Sequence, residues 1–217
     1  MKIVLIGATG FVGSVVLKEA LQRGHELTAV CRHPEKIRLE NQQLHGVSVD
    51  IFNTEKLAEV MRGSDVIISA YNPGWTNPLI YEDYIRGARS IQAAAVQSGT
   101  RRLIVVGGAG SLFVGPGKQL VDSPDFPQAW KPGARAARDY LDILKKAADL
   151  DWTFLSPAIE MNAGSSGSRT GAYRTGGDEP VFDQHNRSII SVEDLAVALL
   201  DEAERPAHVR RRFTVAY

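Results

Sequence analysis

Residues 1–13 read Met1-Lys-Ile-Val-Leu-Ile-Gly7-Ala-Thr-Gly10-Phe-Val-Gly13. An apolar run, Ile3 to Ile6, leads into evenly spaced glycines, and a helix-like stretch follows. A strand that enters a tight glycine turn and leaves as a helix builds a dinucleotide-binding loop. The turn lets backbone approach a pyrophosphate, and the helix offers that anion its unpaired N–H groups and the positive end of its dipole. Gly7 permits the turn, Gly10 the close approach and Gly13 the packing of helix on strand. Nucleotide contacts are expected from Gly7, Thr9, Gly10, Phe11, Val12 and Gly13. The spacing is GxxGxxG, not GxGxxG, and it gains weight from its place in the first strand–helix–strand unit.

From there strands and helices alternate. Val12, Val15, Val16 and Ala20 recur at helical spacing up to a stop at Gly24. Leu27–Cys31 and Val47–Val49 read as the second and third strands, and Asn53 or Thr54 can cap a helix running through Met61. Asp65–Ser69 is a fourth strand, Tyr84 to Ala95 a helix ending near Gly99, and Leu103–Val106 a fifth strand. Leu141, Leu144 and Ala148 mark a further helix, over 133–149, before a strand at Trp152–Leu155. Ser191 can cap a last helix striped by Val192, Leu195 and Leu199, and Arg212–Ala216 forms a terminal strand. The strands are continuous apolar runs, as a parallel sheet covered on both faces requires. The expected fold is α/β: one Rossmann-like, doubly wound, mainly parallel sheet with helices on both faces, spanning 1–217 as a single NAD(P)-binding domain. Two stretches, 107–133 and 157–187, interrupt the rhythm. Both leave the carboxyl edge of the sheet and are expected to be substrate-side loops.

Composition narrows the classes further. With 25 basic and 25 acidic residues the formal charge is zero, so there is no electrostatic footprint for nucleic acid or anionic lipid. No long uncharged apolar run suggests a membrane span, and no signal-peptide pattern precedes the first strand, so a cytoplasmic protein is expected. Arg210-Arg211-Arg212 reads as a solvated strand end. The single cysteine, Cys31, ends an apolar strand and is expected to pack as a small hydrophobe. The five histidines are scattered without a helix-spaced pair, and no metal site is expected.

The end of the second strand bears on the choice of cofactor. An acidic residue there binds a ribose 2′-hydroxyl, whereas an arginine accommodates a 2′-phosphate. The chain has Arg32, followed by His33 and, one turn on, Lys36. Arg32 favours NADPH over NADH unless its side chain simply points to solvent. Asp50 can accept from an adenine amino group with Ile51 packed on the ring, or it can cap the next helix. Ser69-Ala70-Tyr71 ends the fourth strand, where small residues let backbone at Ala70 and Tyr71 approach the adenosine side.

With these residues in hand, the chain resembles the atypical short-chain dehydrogenase/reductase superfamily, whose extended members carry GATGFVG. Within it VGGAGSL (106–112), RTGAYRTGGDE (169–179) and SIISVEDLAVALLDEAERPAHVRRRFTVAY (188–217) are similar to the NADH-flavin reductase group related to biliverdin-IXβ (flavin) reductase. The resemblance spans essentially the whole chain. It implies a Rossmann-like sheet, a nicotinamide cofactor and reduction of flavins or similar planar acceptors, with FMN or FAD as substrate.

One departure from ordinary short-chain dehydrogenases is visible at once. Those enzymes relay a proton through a Tyr and a Lys four positions later. Four positions beyond Tyr71, Tyr81, Tyr84, Tyr140 and Tyr173 stand Trp75, Ile85, Ala88, Leu144 and Gly177, and Tyr217 ends the sequence. Carbonyl reduction develops alkoxide charge and gains about 10²–10⁴-fold from a placed proton donor. Hydride transfer to a conjugated ring spreads its charge and can proceed on stacking and orientation alone. A small-molecule acceptor of flavin or quinone type is therefore expected, handled by a monomer or homodimer. Ser111 could donate a hydrogen bond to that acceptor as a catalytic and substrate-binding group, or be a turn serine. Trp130 could stack on substrate or cover the core edge. Backbone at Pro157 and Ala158 could meet the nicotinamide carboxamide, and Glu160, at the same edge, reads as a solvent carboxylate and not a base. The alternatives are a non-catalytic nicotinamide-nucleotide sensor of NmrA type and a nucleotide-sugar epimerase or dehydratase relative. The missing Tyr–Lys pair counts against the latter.

Overall fold

The opening apolar run is an interior strand of the sheet. In the computed structural model, which describes residues 1–217 with the side chain of Ala163 excepted, it forms β1 (Lys2–Ile6), with parallel neighbours on both sides. There follow α1 (Phe11–Gln22), β2 (Glu26–Cys31), β3 (Leu44–Ser48), α2 (Thr54–Met61), β4 (Val66–Ser69), α3 (Ile80–Ser98) and β5 (Arg102–Val106). A short hairpin, β6 (Phe113–Gly115) and β7 (Lys118–Gln119), precedes α4 (Lys131–Leu144) and β8 (Asp151–Ser156). The chain closes with β9 (Arg174–Gly176), α5 (Val192–Glu204) and β10 (Arg211–Ala216).

Eight strands share one sheet in the order β3-β2-β1-β4-β5-β8-β10-β9, and only β9 runs antiparallel, against β10. Side chains alternate between two covered faces, which is why the strands read as unbroken apolar runs. Ile3, Leu5, Leu27 and Phe213 pack under α1 and α5, through Val16, Leu17, Leu195 and Leu199. Val4, Ile6, Leu103 and Phe154 pack under α2, α3 and α4, through Leu57, Ile91 and Leu141. The caps are those the sequence offers. Asn53 accepts from the Lys56 N–H, Ser191 from the Asp194 N–H, and Gly99 ends α3 in the left-handed region at φ +82°. Cys31 is buried. Among the described residues no helix is long and apolar enough to cross a membrane.

The departures have local causes. β3 begins at Leu44, not Val47, because its extent is set by parallel pairing with β2 from Leu27↔Leu44 to Cys31↔Ser48. As an edge strand with exposed side chains it carries no apolar run to announce it. α4 stops at Leu144, short of Ala148, as the N–H groups of Lys146 and Ala147 bond only three residues back, to Ile143 and Leu144. β6, β7 and β9 lie inside the stretches expected to be loops. The arginine cluster is solvated only in part: Arg210 and Arg211 are exposed, Arg210 donating to the carbonyls of Leu150 and Ala148, but β10 lies between β8 and β9 and Arg212 is buried.

Candidate functional site

The strand order reverses between β1 and β4, and the loops leaving these two strands diverge there. Open α/β sheets bind ligands in the crevice at this switch point. The loop after β1 is fixed by backbone. The Gly7 N–H donates to the Val30 carbonyl at 3.0 Å, and the Gly10 N–H to the Gly7 carbonyl at 2.9 Å. Gly7 has φ +80°, and a Cβ on it would lie 2.6 Å from the Ala70 carbonyl oxygen. A Cβ on Gly13 would lie 2.1 Å from the Gly7 oxygen, so this glycine seats the helix on the loop itself, not on the strand as expected. A Cβ on Gly10 would touch only the Gly7 oxygen, at 3.3 Å, and otherwise project into open space. No side chain caps the first turn of α1 and no acidic residue occupies it; Thr9 and Phe11 are exposed beside it and Val12 is half-buried. This uncapped, acid-free turn behind a bare glycine fits a pyrophosphate.

The residues expected on the adenosine side lie at the ends of β2, β3 and β4. Arg32 is exposed and its guanidinium has no partner among the described residues, while Ser48 Oγ donates to its carbonyl at 3.2 Å. Asp50 does not cap α2. Its Oδ1 accepts from the Phe52 N–H at 3.0 Å in a turn of its own, and Asn53 takes the capping role. Ile51 is half-buried, and its carbonyl accepts from Ser90 Oγ on α3. Backbone at Ala70 and Tyr71 borders Gly7. The Tyr71 side chain turns away: its hydroxyl donates to the Asp83 carbonyl at 3.0 Å and its ring lies where a Gly87 Cβ would be. Burial, reinforced by the Asp83 carboxylate, pushes the Tyr71 phenol up to about 12.

The loops after β4, β5 and β8 leave the same edge of the sheet, where the acceptor is expected. Here one expectation needs correction. Ser111 is fully buried; its hydroxyl donates to the Gly108 carbonyl at 3.0 Å and meets Ser156 Oγ at 3.2 Å, so it pegs the loop and does not face an acceptor. Its carbonyl accepts from Gln119 Nε2 and from Arg212, which also pairs with Asp178. Arg212 thereby ties both long stretches to β10. Pro157 and Ala158 are buried at the end of β8, with the Ala158 methyl in the core under α1 and α5. Glu160 accepts from Arg187 Nε at 2.6 Å and from the Ser188 N–H at 3.2 Å; the Arg187 hydrogen bond holds its carboxyl below the usual range. Such a fixed, ionised carboxylate is a poor proton donor.

The stretch 157–187 is pinned to the helices that cover one face of the sheet. Arg169 binds Glu19 of α1 at 2.7 and 2.8 Å, and Asp194 of α5 accepts from the N–H groups of Thr170 and Gly171 and from the Tyr217 hydroxyl. These bonds, with those from the Thr170 hydroxyl, outweigh the upward push of burial and hold the Asp194 carboxyl below its ordinary range.

No phenol is free to serve the crevice. Tyr71, Tyr81, Tyr173 and Tyr217 donate to Asp83, Asp139, Asp201 and Asp194, and Tyr84 and Tyr140 are buried in the core. What this side does present is aromatic surface. Trp130 stands at the N-terminal boundary of α4 and is 53% exposed, and Trp75, in the loop after β4, is 57% exposed. Trp75 was not singled out by sequence reasoning. Its one signal is the run Asn72-Pro-Gly-Trp-Thr-Asn-Pro78, a turn-rich stretch leaving a central strand. Among the described residues, no cluster of three His, Cys, Asp or Glu side chains could hold a metal ion.

Residues 7–206 match the family described as NAD(P)H-binding. The uncharacterized protein YwnB of Bacillus subtilis is 38% identical over 219 residues, covering 99% of this chain and 98% of that protein. A crystal structure of a candidate epimerase from Bacteroides thetaiotaomicron is 46% identical with a TM-score of 0.92, covering 100% of this chain and 96% of the other. That of a candidate NADH-flavin reductase from Streptococcus pneumoniae is 33% identical with a TM-score of 0.87, covering 100% and 99%.

Proposed function

The chain belongs to the NAD(P)H-binding family, and from that premise we propose that it is an oxidoreductase that passes hydride from NADPH to a flavin or a similar planar conjugated acceptor. The observation that carries this reading is the pairing of a built nucleotide cradle with an acceptor side that has no available phenol and two exposed tryptophans. The Streptococcus pneumoniae relative described as a candidate NADH-flavin reductase supports it.

In this reading Gly7, Gly10 and Gly13 hold the pyrophosphate against the first turn of α1, Thr9, Phe11 and Val12 border it, and the unpaired Arg32 takes the 2′-phosphate. Asp50 and Ile51 flank the adenine, and backbone at Ala70, Tyr71, Pro157 and Ala158 frames the rest of the cofactor. When bound, NADPH supplies the two electrons as hydride, and a solvent proton completes reduction of the acceptor. The chain's task is orientation: two bound rings held face to face need no further acid when the charge is delocalised. An epimerase needs a proton relay, and every tyrosine here is committed elsewhere. The internal commitment of Ser111 favours one second reading, a nucleotide sensor without turnover. The formal charge of zero suits a protein acting on a small molecule without nucleic acid or membrane, and we propose a cytoplasmic monomer or homodimer.

The test is steady-state oxidation of NADPH in the presence of FMN and, separately, of a simple ketone. FMN-dependent oxidation well above the uncatalysed rate, with none for the ketone, is expected. Tight NADPH binding with no FMN-dependent oxidation would leave the sensor reading.

A further inference from the structure

The chain has three tryptophans, and Trp152 lies in the core where a large apolar ring belongs. Trp75 and Trp130 instead leave more than half their surface in solvent, at 57% and 53%. They come from loops that follow adjacent central strands, β4 and β5, and both stand at the start of α4. Trp130 stands at the N-terminal boundary of that helix without a capping side-chain bond. Trp75 lies over its first turn, where a Cβ on Gly133 would be 2.9 Å from the indole ring and 2.8 Å from the Ile80 methyl. Gly133 therefore clears a seat for the indole. Part of the ring is packed and the rest is open.

The ring is also braced. Gly74, immediately before it, has φ +109° and donates its N–H to Asn72 Oδ1 at 2.8 Å. The Asn77 N–H donates to the Gly74 carbonyl at 3.1 Å, and Asn77 Nδ2 to Asp83 Oδ2 on α3 at 2.9 Å. An apolar ring held out by a hydrogen-bonded turn is pre-organised to meet something flat, and little entropy is lost when it does. Just before the helix expected over 133–149, where the relay tyrosine of an ordinary short-chain dehydrogenase would be expected, the chain has Trp130-Lys131-Pro132.

We propose that Trp75, seated on Gly133, is the shelf on which the acceptor ring stacks, and that with Trp130 it sets a preference for polycyclic planar acceptors over small carbonyl compounds. The proposal rests on the reductase reading and names the specificity-determining residue within it. Stacking energy scales with overlapped area, so a tricyclic ring gains where a ketone does not.

The probe is FMN, titrated by quenching of its own fluorescence into the NADP⁺-saturated protein. Trp75→Ala is expected to weaken FMN binding about tenfold, and Trp75→Phe about threefold or less. Gly133→Ala keeps both tryptophans but displaces the indole, and is expected to weaken FMN about threefold or more. NADP⁺ affinity and thermal midpoint, measured in parallel, should stay near the parent's in all three. If the parent binds FMN and both Trp75→Ala and Gly133→Ala match it within about twofold, the shelf is refuted while the reductase reading stands. If FMN binding depends on Trp75 but no NADPH is consumed, the shelf stands and the catalytic reading fails. A parent that does not bind FMN, or a variant that loses NADP⁺ together with FMN, overturns the proposal.

Discussion

In the nucleotide half of the crevice, shape comes from side chains that are missing. Gly7, Gly10 and Gly13 lie within one short stretch, and their backbones stack because a Cβ at Gly13 would meet the Gly7 oxygen at 2.1 Å. In the acceptor half, shape comes from side chains that arrive from far along the chain. Ser111 is held by Ser156, 45 residues on, and by Arg212, 101 residues on. Arg212 in turn holds Asp178, and Trp75 rests on Gly133. The first half is a local motif, so its failures should appear as lost cofactor. The second half is part of the tertiary fold, so its failures should appear as lost stability or altered acceptor choice.

That contrast can be broken most forcefully at the glycines. Gly13→Ala must push helix off loop and is expected to weaken NADPH about a hundredfold or more, in a titration of nicotinamide fluorescence. Gly10→Ala meets only one atom at 3.3 Å, so its melting temperature should match the parent's while NADPH binding falls about tenfold. Parent-like binding by Gly10→Ala would mean that the pyrophosphate does not approach there. Next in size is Arg212→Ala. Losing charge-assisted bonds at a buried guanidinium is expected to cost about 2 kcal/mol in urea unfolding, with NADPH affinity of the folded protein unchanged. A loss of NADPH affinity instead would show that the two halves are not separable.

Arg32→Ala sharpens the comparison within the nucleotide half. NADPH should weaken about tenfold and NADH by less than about twofold; equal losses would remove the 2′-phosphate assignment. The smallest effect is on pH dependence. Asp194 and Glu202 are both held below the ordinary carboxylate range, because hydrogen bonds to the ionised form outweigh the cost of burial. A depressed folded-state value contributes stability that is present above the unfolded value and disappears as pH falls through the folded one. Unfolding midpoints should therefore decline from neutral to acid pH, and Asp194→Asn, less stable at neutrality, should decline less. An unchanged acid limb in that variant would remove Asp194 from the account.

What could be read from the sequence follows the same division. The strands of the central sheet and the glycine loop depend on neighbours in sequence, through unbroken apolar runs and local spacing. β3, at the sheet edge, showed in the sequence only through Val47–Val49 while pairing with β2 extends it back to Leu44, and β9, made of Arg174-Thr-Gly176, has no apolar run and exists because β10 offers hydrogen bonds. Ser111 sits in a glycine-rich loop after a strand, as a surface donor would. Its burial is decided by Ser156 and Arg212, and no local pattern reports that. Arg212 looked solvated because it belongs to a run of arginines, yet β10 lies inside the sheet. The seat of Trp75 requires a glycine on a helix many residues later, and only the fold brings the two together.

The central claim is that a locally built cradle delivers NADPH to a flat acceptor that needs no protein acid. Its most direct test is anaerobic single-turnover mixing of the NADPH-loaded protein with FMN, following flavin and nicotinamide absorbance together. The account predicts that both decay at one rate and in equal amounts, faster than without protein. FMN that stays oxidised while NADPH remains tightly bound would contradict it.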